Sequence, residues 1–330
     1  MTRRDFIGSA AMAAITRPHR IIIDTDPGTD DALAIFLALN SPELQVEALT
    51  PVAGNVPLEL TLPNALRLLE IAGKTGIPVA AGADRPLVRR LITATYAHGE
   101  NGLGGIPFPE PTTKPVAETA TQLIRRMVRA SPHQISIIAI GPLTNIATAF
   151  REDPELPGLI PNLTIMGGSL SGGNISPAAE FNIYVDPEAA QIVFRSGVPL
   201  TMVGLDVTRR AVLREEHIRR LENSTKPEGR AAGKIARAMG RPTMHDSLAM
   251  AAFIDPDVVK LEGVHVEVET AGELTAGETV AYHKAPMRGS APMANTPAGG
   301  NFSGPSTPNV KVAVDLDAER FFNLLIGRLT

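Results

Sequence analysis

The sequence predicts an α/β protein: one large domain on a mainly parallel, Rossmann-like central sheet flanked by helices. Three observations carry this expectation. Short, continuous apolar runs ending in Gly, Asn or Asp alternate with helical patterns along most of the chain, which is the signature of a parallel sheet buried on both faces. The polar residues gather where those runs end, the edge at which open α/β sheets bind ligands. No repeat and no clean linker divides the 330 residues.

Each element follows from its local chemistry. Arg20 to Ile23 is a buried strand running into Asp24-Thr25-Asp26-Pro27-Gly28-Thr29, and Asp30 to Leu39 reads as a buried helix. Val46 to Val52 is a strand ending at Gly54-Asn55, followed by a helix from Leu62 to Ala72. Ile77 to Ala80 is a short apolar run ending at Gly82. Ile135 to Ile140 meets Gly141-Pro142 and a helix through Phe150. Leu163 to Met166 ends at Gly167-Gly168, and Leu200 to Val203 at Gly204-Leu205-Asp206. Alternation marks further strands at Val264 to Glu269, Thr279 to His283 and Val310 to Val314, and a helix over Ala318 to Leu329. Lys284 to Pro308, rich in Pro, Gly, Ser and Ala, reads as a long loop.

Composition sets the outer limits. A hydrophobic fraction of 44 % excludes a disordered chain. A net charge of −4 argues against nucleic acid as the main partner, because phosphate recognition needs concentrated Lys and Arg. No apolar run approaches the roughly 18 residues of a membrane-spanning helix. With no cysteine, disulfides, thiolate nucleophiles and Cys-ligated metals are excluded, so a metal here is held by oxygen or imidazole.

At the amino terminus, Arg3-Arg4-Asp5-Phe6-Ile7 precedes a small apolar stretch and Ala11-Met12-Ala13. This is the pattern of a twin-arginine export signal with an A-x-A-like cleavage site. That reading, which places the protein in the periplasm, ranks ahead of a basic disordered tail on a cytoplasmic protein. Residues 1–18 are therefore set apart from a folded domain spanning 19–330.

The most informative stretch holds four carboxylates, Asp24, Asp26, Asp30 and Asp31, within eight residues at a strand-to-helix turn. Two like charges about 4 Å apart repel by roughly 4 kcal/mol at an effective dielectric near 20. Helix capping absorbs one or two such acids, at about a kilocalorie each, but not four. A hard cation would absorb them all, and oxygen-only donors suit Ca²⁺ or Mg²⁺. Elsewhere, Asp246 follows His245 and reads on its own as a cap for a helix from Ser247 to Phe253. The Gly172-Gly173-Asn174 loop with Glu180 and Asn182 has the amides and carboxylate to bind several hydroxyls. His98 sits in a glycine-rich loop, where it either meets a ligand or is solvated. Asp186-Pro187-Glu188 and Asp255-Pro256-Asp257 read as helix caps, and the Arg214 to Glu222 charge run as a solvated helix face.

Taken together, these segments resemble the inosine–uridine nucleoside hydrolase family. The resemblance rests on DTDPGTDDA at Asp24–Ala32, VAGN at Val52–Asn55, HGENG at His98–Gly102 and GPLTNIA at Gly141–Ala147. It continues through MGG at Met166–Gly168, AEFNIYVDPEAA at Ala179–Ala190, MVGLDVT at Met202–Thr208 and HD at His245–Asp246. These recur in family order over residues 20 to 330.

The resemblance implies the nucleoside hydrolase fold and hydrolysis of a ribonucleoside's N-glycosidic bond to free base and ribose. It implies one Ca²⁺ held by Asp26, Asp31, Asp246 and the main-chain carbonyl of Ile140, with a Ca-bound water activated by Asp26 as general base. Carboxylates near the ribosyl ring would stabilise its developing positive charge. Asp30, Asn174, Glu180 and Asn182 would grip the ribose hydroxyls, supported by Asn55. His245 would face the base and assist its departure, His98 and Met166 would line the pocket, and Asp24 would support the ligands from behind. The expected partner is a small ribonucleoside, with neither nucleic acid nor membrane, in a homodimer or homotetramer.

Two departures from the family pattern stand out. Between Arg219 and His245, where relatives often supply aromatic contacts to the leaving base, this chain has neither Tyr nor Trp, and no Trp occurs anywhere. The 284–308 segment is also long. Two other readings compete with hydrolysis: a Ca-dependent nucleoside- or sugar-binding protein without turnover, and a Mg-dependent haloacid dehalogenase-like phosphatase. Pro27 interrupts the Asp-Gly-Thr run that the phosphatase expects.

Overall fold

The computed structural model describes residues 17–282 and 307–330. The segment read as an export signal therefore lies outside the described residues as far as residue 16, and so does all of the 284–308 loop up to residue 306. The described chain begins with β1 (His19–Thr25), whose three consecutive isoleucines are fully buried, and α1 (Thr29–Leu39), buried from Thr29 through Ala38. Next come β2 (Leu44–Pro51), α2 (Leu58–Ile71), the single turn α3 (Thr95–His98) and α4 (Ala120–Ala130). β3 (Ile135–Ala139) leads to α5 (Thr144–Glu152), and β4 (Leu163–Met166) to α6 (Phe181–Val185) and α7 (Pro187–Phe194). β5 (Leu200–Val203) leads to α8 (Leu205–Thr208), α9 (Glu215–Glu222), α10 (Pro227–Ala238) and α11 (His245–Ile254). β6 (Val259–Val268), β7 (Thr279–Tyr282), β8 (Val310–Leu316) and α12 (Ala318–Leu329) complete it.

These strands form one eight-stranded sheet in the order β2-β1-β3-β4-β5-β8-β6-β7. The first six in that order are parallel, while β6 runs antiparallel to both β8 and β7. The expected mainly parallel sheet is thus present, with an antiparallel margin. Side chains leave it alternately. Ile21, Ile23 and Ile138 enter one core layer with α1, α10, α11 and α12, whereas Ile22, Ile137 and Ala139 enter the other with α4, α5 and α7. Covering both faces is what makes these strands read as unbroken apolar runs.

The order reverses at β1: the chain moves from β1 outward to β2, then returns to β3 on β1's other side. The crevice outside the carboxyl ends of β1 and β3 is therefore the topological switch point, where α/β sheets bind ligands.

Several boundaries shift for identifiable reasons. α2 starts at Leu58 rather than Leu62 and carries Pro63 inside it, because Pro57 O accepts from both Leu60 N and Thr61 N and starts the turn early. The Ile77–Ala80 run makes only an isolated bridge, Val79 to Leu49 on β2, since Pro78 has no N–H to continue a ladder. β6 reaches back to Val259, paired with Leu316 of β8. The capping expectations hold at Asp186, whose Oδ1 accepts from Ala189 N at 3.0 Å, and at Asp255, whose side chain accepts from Asp257 N.

Phe36, wholly buried in α1, is the largest side chain between this helix and its neighbours. Phe36→Ala is expected to cost about 3–5 kcal/mol, read as a lowered urea midpoint at unchanged m-value. A loss below about 1 kcal/mol would show that α1 is not part of the cooperative core.

Candidate active site

The turn after β1 folds its carboxylates inward, and each is held by a different set of donors. Asp24 points away from the crevice: its Oδ2 accepts from Thr50 Oγ1 at 2.6 Å and from Asn145 Nδ2 at 2.9 Å. Asp26 Oδ2 accepts from Asn55 N at 2.7 Å. Asp31 is the most fully bonded, with Oδ1 accepting from Thr25 Oγ1 at 2.6 Å and Oδ2 from Gly28 N at 2.9 Å and Asn55 Nδ2 at 3.0 Å. Asn55 thus reaches both Asp26 and Asp31 from the loop after β2.

Two glycines let this packing happen. A Cβ on Gly54 would lie 2.1 Å from Asp26 Oδ2, and one on Gly141 would lie 2.6 Å from Asp26 Oδ1. The backbone presses against Asp26 from both sides, so the VAGN and GPLTN segments need glycine for space.

Asp246 arrives from the far end of the chain. It does not cap a helix from Ser247, as its local sequence suggests: α11 begins at His245, with Met244 at the cap position, and Asp246 lies in the first turn. Its buried carboxylate joins Asp30 and Asp31, with an oxygen of each within 4.8 Å of the others. Asp26 stands beside this trio, and its charge acts on both Asp31 and Asp246.

Burial pushes Asp26 and Asp246 well above the usual carboxylate range, and mutual repulsion with Asp30 and Asp31 pushes the same way. Burial also raises Asp30 and Asp31, and it lifts Asp24 and Glu180 to about 7. A hard divalent cation fits this arrangement on two grounds. The converging groups of Asp30, Asp31 and Asp246 offer only oxygen, and Asp26 Oδ1 is buried with no hydrogen-bond partner among the described residues.

The carboxylates border a cavity of about 380 Å³ whose lining includes Asp30, Asn55, His98, Ile140, Met166, Asn174, Glu180, Asn182, His245 and Asp246. Of the site residues expected from sequence, Asp26 and Asp31 lie behind that lining. Asn182 Nδ2 donates to Ile140 O and Met166 O, both at 3.0 Å, tying the ends of β3 and β4 together. Glu180 caps α6: Oε1 accepts from Asn182 N and Oε2 from Gly168 N and Ile183 N, at 3.0–3.1 Å. Asn174 Oδ1 accepts from Phe181 N at 3.0 Å.

Thr29 N donates to His98 Nδ1 at 3.1 Å. A backbone amide can only donate, so this ring is neutral with its proton on Nε2. His245 Nδ1 bonds Thr208 Oγ1 at 2.8 Å. Burial holds both imidazoles below their ordinary value.

Sequence reasoning missed several participants. Thr25, Thr50, Asn145 and Thr208 orient the charged groups, and Tyr96, Phe181, Met239 and Arg241 line the cavity. Tyr96 and Phe181 sit inside or beside matched motifs, so proximity to His98 and Glu180 was the available signal.

A sheet whose switch point carries such an acidic cradle under a ligand-sized cavity defines an enzyme of the nucleoside hydrolase class. The chain matches the family "Inosine-uridine preferring nucleoside hydrolase" over residues 21–323 and belongs to it. It is an N-glycosyl hydrolase by family, which decides against the phosphatase reading. It is 41 % identical to the pyrimidine-specific ribonucleoside hydrolase RihA of Citrobacter koseri, covering 94 % of this chain and 97 % of that one. Among solved structures, a plant nucleoside hydrolase, PpNRh1, superposes with a TM-score of 0.85 at 35 % identity, covering 95 % and 99 % of the two chains. A purine-preferring ribonucleoside hydrolase from Gardnerella vaginalis gives 0.81 at 31 % identity over 94 % and 98 %. No helix among the described residues is long and apolar enough to cross a membrane.

The raised carboxylates predict how metal-free protein responds to pH. Asp24 and Glu180, raised from 3.8 and 4.5 to about 7, bind more protons folded than unfolded. Their stabilising contribution is full below the unfolded values and is lost as pH rises through about 7. The exposed salt-bridged acids, with lowered values, are already ionised across this window. The lowered His98, His217 and His245 act the other way only up to their ordinary value of 6.5, so the Tm of chelator-treated protein is expected to fall between about pH 6.5 and about pH 8, and Ca²⁺ to flatten the fall. A Tm that climbs over that range in chelator contradicts this account.

Proposed function

We propose that this enzyme hydrolyses pyrimidine ribonucleosides to ribose and free base, using a divalent cation, Ca²⁺ by its oxygen-only donors. The observation that carries the cation is the buried, unpartnered Asp26 Oδ1 beside the three converging carboxylates of Asp30, Asp31 and Asp246. Asp26, Asp31, Asp246 and the Ile140 carbonyl would hold it. Asp31, locked in place by three donors, serves as the fixed anchor, while Asn182 sets the Ile140 carbonyl. Asp30 competes with Asp26 for a place in this set, because it is Asp30 that shares the 4.8 Å grouping with Asp31 and Asp246. When bound, the cation acidifies a water and neutralises the clustered carboxylates.

The chain's own groups do the rest. Asp26, made more basic by burial, accepts the water's proton. The remaining carboxylates provide negative potential against which positive charge on the ribosyl ring can develop. Asp30, Asn174, Glu180 and Asn182 supply the polar wall for the ribose hydroxyls, and His98, Met166 and His245 the wall around the base. The pyrimidine preference rests on likeness: the relative named for pyrimidine specificity shares 41 % identity, against 31 % for the purine-preferring one. The twin-arginine pattern at Arg3-Arg4 supports export to the periplasm, and the family habit supports a homodimer or homotetramer.

A reducing-sugar assay over purine and pyrimidine ribonucleosides, with and without chelator, tests reaction, base preference and metal together. Asp26→Asn is expected to lower kcat by roughly 10²–10⁴-fold while keeping the wild-type circular dichroism spectrum. Near-native turnover by that variant would sink the base role. Sequencing the mature amino terminus from the host checks export: cleavage after Ala13 is expected, and an intact Met1 or Thr2 terminus counts against it.

A further inference from the structure

The segment joining α10 to α11 is where this chain departs from the family's aromatic pattern. There, Met239, Gly240, Arg241 and Thr243 line the cavity. Backbone bonds pin the crossing in place: Thr243 N donates to Arg241 O and Met244 N to Ala211 O, both at 2.7 Å, and Leu213 N to Pro242 O at 2.9 Å. Val212 and Thr243 form an antiparallel bridge on the same segment. The root of Arg241 is thus a fixed point on the cavity wall, although its side chain reaches solvent.

The lining is electrically divided. Its buried part carries the carboxylates Asp30, Glu180 and Asp246. Among the described lining residues, Arg241 alone has a permanent positive charge. It lies near enough to His245 to act on that ring, as does Arg209. Arg209, however, is spent on the Gly172–Gly173 loop, donating through Nη2 to both carbonyls at 3.1 and 2.5 Å.

The chemistry asks for a positive charge at this end. In the hydrolysis, the C1′–N bond breaks and a C1′–O bond to water forms. The water's proton goes to Asp26, and the bonding pair stays on the base, which is anionic until it takes a proton from solvent. A guanidinium stays charged at any working pH, so it favours that anion electrostatically rather than by giving up a proton.

We propose that Arg241 stabilises the departing base as an anion. It thereby favours bases that carry negative charge well, uracil over cytosine. This inference rests on the nucleoside hydrolase reading above.

The test compares uridine, cytidine and p-nitrophenyl β-D-ribofuranoside, whose nitrophenolate leaves as a stable anion without help. Relative to wild type, Arg241→Met is expected to lower kcat on uridine by about tenfold or more with KM within about threefold. It should narrow the uridine-to-cytidine rate ratio and leave kcat on the nitrophenyl riboside within about twofold, because that leaving group needs no stabilisation. Arg241→Lys, which keeps a charge but not the planar fork, should recover part of the loss on uridine. Equal losses on uridine and the nitrophenyl riboside, or a raised KM at unchanged kcat, would overturn the role of Arg241 alone. Wild-type enzyme that releases nitrophenolate but cleaves no nucleoside would overturn the substrate reading and this inference with it.

Discussion

Mutual repulsion among buried carboxylates is the constraint around which this protein is organised. Asp26, Asp30, Asp31 and Asp246 are all removed from water, where each charge costs several kcal/mol unless it is compensated. The fold answers with directed donors: Thr25, Gly28 and Asn55 on Asp31, and the Asn55 amide on Asp26. What these donors leave unmet is a concentrated negative potential opening on one cavity. That residual potential suits a hard cation and a sugar ring that becomes positive as its bond to the base breaks.

The sheet makes such a concentration affordable. Parallel strands covered on both faces end together at one edge, and the reversal of order at β1 opens the crevice there. The isoleucines of β1 and β3 anchor the cradle in two core layers, so its carboxylates cannot relax apart without disturbing packing. Glycines 54 and 141 then bring neighbouring backbone against Asp26. The strain of like charges is thus borne by strand ends anchored in the buried core.

The cavity wall divides the labour. Groups on the carboxyl ends of β1, β3 and β4 are closely hydrogen bonded, with Asn182 joining two strand ends through Ile140 and Met166. The opposite wall is assembled instead from the α10–α11 crossing and the loop around His98, which are more exposed.

Much of this was readable from the chain itself. Continuous apolar runs announce strands whose two faces are both buried, and four aspartates in one turn announce a charge problem that capping does not solve. Local patterns also settled Asp186 and Asp255, because a cap is satisfied within its own turn. They misled at Asp246, where a respectable capping position exists but the carboxylate is drawn to Asp30 and Asp31 across more than two hundred residues of sequence. Likewise, nothing local tells that Asn145 and Thr50 restrain Asp24, that Thr208 orients His245, or that Arg241 borders the cavity. The sequence by itself determined the fold class, the strand-end location of the chemistry and the acidic turn at its centre, because these depend on periodicity and on neighbours along the chain. Only the tertiary structure decided which acids meet, that Asp26 Oδ1 is left without a donor and that Arg241 borders the cavity, because those depend on chain segments far apart in sequence that the fold alone brings together.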